Sequence, residues 1–144
     1  MPSDPRVSIG ACALVVRKGQ LLLAKRKGKH AAGLWSCPGG WVDFGEEPMV
    51  TALRELLEET GLTIEMWNPK ARVEFIGYYN NVFREEQIQS LTLHFLVEGI
   101  GGKEPKILEP EKCSEIRWFP LDALPPENEM FPGLLSIIKK LPPL

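Results

Sequence analysis

Between Gly39 and Leu62 the chain reads GGWVDFGEEPMVTALRELLEETGL, and no other stretch constrains the fold as tightly. Met49, Ala52, Leu53, Leu56 and Leu57 recur at i, i+3, i+4, i+7 and i+8, the spacing of a helical stripe destined for burial. Pro48 brings the fixed φ of a first helical turn, and Gly61 tolerates the left-handed position just past the last. The predicted helix carries an awkward load. Glu55, Glu58 and Glu59 fall within about 100° of arc. Glu55 and Glu59 repel as i, i+4 neighbours, and Glu58 and Glu59 crowd the end whose carbonyls already present negative charge. Arg54 can pair with Glu58, yet one guanidinium does not neutralise three carboxylates. A solvated acidic face is one reading of this pattern. The other starts from Glu46 and Glu47 upstream and from the Gly39-Gly40 pair: hard oxygen ligands gathered at one spot are what Mg²⁺ or Mn²⁺ requires.

At 144 residues the chain reads as one domain, spanning 1–144, with enough length for a real core. A net charge of −2 and a pI near 5.8 give no global basic field, which argues against a nucleic acid polymer as partner. An anionic substrate must then be met by local cations or by metal. Three widely spaced cysteines, Cys12, Cys37 and Cys113, fit reduced thiols in a cytoplasmic protein and neither a disulfide scaffold nor a zinc site. The apolar run Ile9 to Val16 is too short to span a bilayer and lacks the basic leader of a signal peptide, so no membrane partner is expected.

Along the chain, Met1 to Arg6 reads as a loose polar tail. Val7 to Val16 and Gln20 to Ala24 read as paired strands around a Lys18-Gly19 turn. The basic run Lys25 to His30 follows, either a solvated loop or a source of cations for phosphate. Arg26 is the preferred substrate-binding residue, because a guanidinium grips phosphate with two donors. Further strands are predicted at Trp35 to Cys37, Leu62 to Met66, Val73 to Tyr79, Ile88 to Val97 and Ser114 to Phe119. His94 reads as a strand histidine packed on one side in preference to a ligand. Asn80 to Gln87, with Phe83 and Arg84, reads as a hairpin loop near substrate. Gly99 to Pro110 reads as a mobile loop, and Pro132 to Leu141 as a closing helix with Leu134, Leu135, Ile137, Ile138 and Leu141 inward. Strands flanking one amphipathic helix, with a second helix at the end, make an α+β or α/β/α layered domain.

Gly40, five residues, Glu46, seven residues, and then Arg54-Glu55-Leu56-Leu57-Glu58-Glu59-Thr60-Gly61-Leu62 resemble the full signature of the Nudix hydrolases, with every specified position matched. The resemblance implies a Nudix α/β/α sandwich with a mixed β-sheet between helices. It implies Mg²⁺, with Mn²⁺ as a substitute, held by Glu55, Glu58, Glu59 and the Gly39 carbonyl. Arg54 is similar to the family arginine that orients these acids, with Glu46 as partner and Gly40 in support. Glu55 is the candidate base within the signature, and Glu109 and Glu111 are the candidates in a loop outside it.

Leu108 to Cys113 followed by Trp118 resembles the MutT-like nucleoside triphosphate branch of the family. Pro125-Pro126-Glu127-Asn128-Glu129 is similar to a segment whose asparagine reads a purine edge, which makes Asn128 the base-recognition candidate. Cys37 stands where that branch has a phenylalanine, so base stacking falls to Trp35 or Phe83. The implied reaction is Mg²⁺-dependent hydrolysis of a nucleoside triphosphate, such as an oxidised or noncanonical dNTP like 8-oxo-dGTP, to the monophosphate and pyrophosphate. The alternatives are hydrolysis of another nucleoside diphosphate compound (a nucleotide sugar, ADP-ribose or a dinucleotide) and nucleotide sensing without catalysis. The expected partner is a small nucleotide, met by a monomer or homodimer.

Overall fold

The computed structural model describes residues 6–144; the tail predicted at Met1 to Arg6 lies, apart from Arg6, outside the described residues. The chain runs β1 (Val7–Arg17), β2 (Gln20–Arg26), β3 (Trp35–Ser36), β4 (Gly39–Trp41), α1 (Pro48–Thr60), β5 (Arg72–Phe83), β6 (Ile88–Glu98), β7 (Cys113–Pro120), a 3₁₀ turn (Glu127–Glu129) and α2 (Leu134–Ile138). The mixed sheet and its helices form an α+β sandwich.

β1 is the strand around which the sheet divides. One edge pairs in parallel with β6 from Val7 opposite Gln89 to Val15 opposite Val97. The other edge pairs first with β4, Gly10 to Cys12 against Trp41 to Gly39, and then with β2 at Val16 and Arg17. β2 leaves after those two pairs to join β3 and β7, so the two halves splay and leave a cleft between them. The β5–β6 hairpin closes the far edge.

Alternation along β1 feeds two cores. Ala11, Ala13 and Val15 face Ala52, Leu56 and Leu62 on the α1 side, whereas Cys12, Leu14 and Val16 face Leu21, Leu23, Leu134 and Ile137 on the α2 side. A strand buried on both faces is apolar throughout, as β1 is over its buried stretch from Gly10 to Val16.

Several expectations need correction. Met49 and Leu57 are 43% and 50% exposed. α1 packs on the small residues Ala11 and Ala13, close enough that only Ala52, Leu56, Thr51 and Thr60 are covered. Leu62 to Met66 is not a strand; Leu62 is buried and Glu65 makes a single backbone bond to Gly99, with no ladder. The closing helix is shorter than predicted, because Gly133 enters in a left-handed conformation (φ 86°) and the helical residues stop at Ile138. Gly99 to Pro110 has no regular structure but is tied down: Arg17 donates to the Gly101 and Lys103 carbonyls and to Glu104. Its later half bonds back to the end of α1 through Lys106 to Thr60 and Leu108 to Glu59. No helix among the described residues is long and apolar enough to cross a membrane.

Candidate active site

The Gly-Gly turn and α1 are built to touch. Gly40 packs so tightly on the helix that an added Cβ would lie 2.5 Å from the Glu55 carboxyl carbon, and one at Gly39 would lie 2.4 Å from the Cys12 Cβ. Glycine is the residue that lets backbone approach this closely. The Gly39 N–H donates to Glu59 Oε2 at 3.0 Å, fixing that side chain against β4.

Arg54 organises the acids from the solvent side. Its Nε and Nη2 donate to Glu46 Oε2 and Oε1 at 2.8 and 3.0 Å, and its Nη1 donates to Glu55 Oε1 at 3.0 Å. The same Nη1 reaches Glu58 at 3.3 Å, and Nη2 reaches the Trp41 carbonyl at 3.3 Å. Glu46 also accepts from Thr51 Oγ1 at 2.6 Å. Arg54 and then Thr51 hold the Glu46 carboxyl down to about 2, well below the usual carboxylate range. The fork and its carboxylate keep each other oriented.

The inner acids are in the opposite condition. Burial, reinforced by the charge of Glu55, raises the Glu59 carboxyl to about 8. Burial likewise raises Glu55, with Arg54 opposing it. Glu109 arrives from the anchored loop with Oε1 buried and without a hydrogen-bond partner, while Oε2 lies 3.6 Å from Lys112 Nζ. These groups open into a cavity of about 520 Å³ in the cleft between the sheet halves, lined by Arg26, Gly39, Gly40, Glu55, Glu59, Glu109 and Lys112 among others. Burial pulls the Arg26 guanidinium below its ordinary range, with Glu59 opposing. Its Nε donates to the His30 carbonyl at 3.3 Å, and it lies over the Phe131 ring at 5.2 Å.

The structure thus brings Arg26, Gly39, Gly40, Glu55, Glu59 and Glu109 to one cavity and leaves other expected residues off its walls. Glu58 points outward in the hold of Arg54. Glu111 is exposed, so Glu109 is the loop acid at the site. Asn128 sits exposed on the 3₁₀ turn and does not line the cavity, because that turn packs through Met130 beside Trp35 instead. Phe83 lies behind the rim, edge-on to His30 with ring centroids 4.4 Å apart, and His30 lines the cavity. Lys112 escaped sequence reasoning because nothing local distinguishes it from a surface lysine.

Among the described residues, no three His, Cys, Asp or Glu side chains stand together in metal-ligating geometry as they are. Arg54 draws Glu55 and Glu58 to one side and the Gly39 amide draws Glu59 to the other. The donor chemistry nevertheless fits a hard divalent cation: carboxylate oxygens at one end of a cavity, two of them held up by burial and a third with an orphaned oxygen.

The NUDIX domain model matches residues 4–141. The NAD-capped RNA hydrolase NudC of Pseudomonas aeruginosa is 34% identical over 137 residues, covering 95% of this chain and 43% of that protein. The oxidized purine nucleoside triphosphate hydrolase of Danio rerio is 34% identical over 116 residues, covering 78% of this chain and 65% of that protein. The ADP-ribose pyrophosphatase of Methanocaldococcus jannaschii is 28% identical over 118 residues, covering 82% and 64% respectively. The chain therefore spans between about two fifths and two thirds of the length of these relatives. Among solved structures, a MutT NUDIX hydrolase from Burkholderia pseudomallei superposes with a TM-score of 0.82 at 28% identity, covering 95% of this chain and 99% of that one. The relatives are named as hydrolases or pyrophosphatases, and a match over nearly the whole chain, on a fold that carries Glu55 and Glu59 of the signature into one cleft, makes this chain a member of the Nudix family.

Proposed function

We propose that the chain hydrolyses a phosphoric anhydride in a nucleotide with the help of a divalent cation, and that its substrate class is a nucleoside triphosphate, cleaved to the monophosphate and pyrophosphate. The observation that carries this reading is the meeting of Glu55, Glu59 and Glu109 with Arg26 and Lys112 at one end of a cavity large enough for a nucleotide. The likeness to the Danio rerio enzyme for oxidized purine nucleoside triphosphates supports the choice of substrate. The relatives named for NAD-capped RNA and for ADP-ribose support a second reading, in which the same site cleaves another nucleoside diphosphate compound.

Glu55, Glu59 and the Gly39 carbonyl would hold Mg²⁺ or Mn²⁺, with Glu109 as a further donor, and Glu58 would join them on turning inward from its pairing with Arg54. When bound, such an ion supplies charge neutralisation for the phosphates and lowers the pKa of water. The chain's own residues do the rest. Arg26 and Lys112 bind phosphate oxygens, and the burial of Arg26 strengthens its hold. Arg54 and Glu46 keep Glu55 and Glu58 in place without touching substrate. Two carboxylates are positioned to accept the proton of an attacking water: Glu55, whose Oε1 already accepts from Arg54, and Glu109, whose Oε1 accepts from nothing. Incubating the chain with dNTPs, 8-oxo-dGTP, nucleotide sugars, ADP-ribose and NAD, each with and without Mg²⁺, tests the proposal. Monophosphate and pyrophosphate from a triphosphate, only with metal present, is the expected result. Turnover confined to ADP-ribose or NAD selects the second reading, and no metal-dependent turnover of any of them rejects both.

A further inference from the structure

Away from the acids the cavity floor is a strip of polar side chains on the sheet. In the β5–β6 hairpin Asn81 stands opposite Ser90 and Gly77 opposite His94. On the other side of β6, Gly10 of β1 lies beside Thr92 and Cys12 beside His94. Ser90, Thr92 and His94 alternate along the strand and so share one face, and all three line the cavity with Asn81. Asn81, Ser90 and His94 are each only 6% exposed. No side-chain hydrogen bond joins Asn81 or Ser90 to another described residue, and His94 Nδ1 is buried without a partner. Side chains this buried are normally paired, and an unpaired one is costly. The orphaned His94 Nδ1, on one strip with an Asn81 amide and a Ser90 hydroxyl that no side-chain bond engages, is explained by a ligand that pairs with them.

Position and chemistry narrow the ligand. Cys12, beside His94, packs against Gly39, whose N–H holds Glu59, so the strip begins next to the acids. From His94 to Ser90 it runs away from them for four residue steps, about 13 Å at strand rise, far enough for a sugar and then a base. Asn81, Ser90, Thr92 and His94 offer an amide, two hydroxyls and an imidazole, with no carboxylate or ammonium among them. The Phe131 ring and Ile88 line the same cavity and provide apolar faces. A planar, uncharged ring with donors and acceptors along its edge matches this set.

We propose that Asn81, Ser90 and His94 read the edge of an uncharged nucleobase, and that this strip, in place of Asn128, sets which base the cavity accepts. The inference rests on the nucleotide reading of the site. A base whose edge matches the strip pairs with it, whereas a mismatched base leaves buried donors and acceptors unpaired. Sites built on hydrogen bonds reject an analogue lacking them far more strongly than apolar pockets do.

Titration calorimetry of the full chain with AMP, GMP, CMP, UMP and ribose 5-phosphate tests this in the parent, in Asn81→Leu and in Ser90→Ala. The parent is expected to prefer one nucleotide. Asn81→Leu should weaken that nucleotide at least tenfold, to the level of the others, while ribose 5-phosphate binds as before. Ser90→Ala, a smaller change that preserves the packing, should weaken the same nucleotide by about threefold or more. An equal loss for every nucleotide and for ribose 5-phosphate, or no change in either variant, overturns the proposal. So does a parent that binds no nucleotide more tightly than ribose 5-phosphate. Because binding needs no turnover, a parent that prefers one base yet hydrolyses nothing rejects the hydrolase reading and leaves the strip intact.

Discussion

Glu59 is the acid on which packing and chemistry pull hardest against each other. It is largely buried, faces Glu55, and receives one N–H, from Gly39. A carboxylate so placed weakens the fold unless a cation comes to meet it. Glu59→Gln is therefore expected to leave the metal-free protein at least as heat-stable as the parent, while turnover falls by more than the roughly 10–100-fold typical of groups standing behind metal ligands. Melting curves in chelator and initial rates in saturating Mg²⁺ read the two effects separately; a less stable variant, or one with parental rates, contradicts the assignment. Gly40 tests the same point from the backbone side. Its Cβ would stand 2.5 Å from the Glu55 carboxyl group, so Gly40→Ala must displace that acid. A shift of about 1 Å at a reacting group costs up to about 10²-fold, and kcat in Gly40→Ala should fall accordingly with the metal supplied in excess.

α1 was largely legible in the sequence: Pro48 opens it, Gly61 closes it at φ 78°, and the acids sit on the side that faces the cavity and Arg54. Its buried stripe was legible only in part. A periodic pattern shows which residues lean toward a partner but not how wide that partner is, and the alanines of β1 admit a narrower ridge than five apolar side chains. Leu56 is fully buried and Leu57 half exposed, although they are adjacent leucines that the periodicity treats alike. Leu56→Ala should cost roughly 2–5 kcal/mol, whereas Leu57→Ala, with little packing to lose, should stay within about 0.5 kcal/mol. Urea melts of the two variants distinguish these outcomes, and equal losses would mean that the helix is seated on a wider face. The anchored loop was missed for a related reason. Gly, Lys and Pro suggest freedom, but Arg17, distant in sequence, ties down the first half of the segment, and the Thr60 and Glu59 carbonyls hold the half that delivers Glu109 to the acids.

Across the whole chain, the strands with strong alternation were readable, and the splay of β2 away from β1 was not, since it follows from pairings between residues remote in sequence. That splay makes the cavity, and it is why Asn81, Ser90 and His94 looked ordinary in the linear chain. His94 also marks the folded state as a whole. Burial lowers its imidazole to about 4, against a pull from the Gly77 and Thr92 backbone and with a small push from Lys140. About a unit or more above pH 6.5 the ring is uncharged in both the folded and the unfolded chain and contributes almost no pH dependence. As the pH falls below about 6.5 the unfolded chain binds a proton that the folded chain refuses until about 4, so stability is lost across that window at up to about 1.4 kcal/mol per pH unit. The raised carboxyls of Glu55 and Glu59 act in the opposite sense over much of the same range, because the folded chain there holds protons that the unfolded chain releases. The parental curve therefore mixes the two, and the difference between parent and His94→Gln isolates the histidine. Subtracting unfolding free energies measured between pH 4 and pH 7.5 should give a parental deficit that grows as the pH drops toward 4 and levels off below it. A difference that stays flat across the window would show that the His94 ring takes up its proton without leaving the fold.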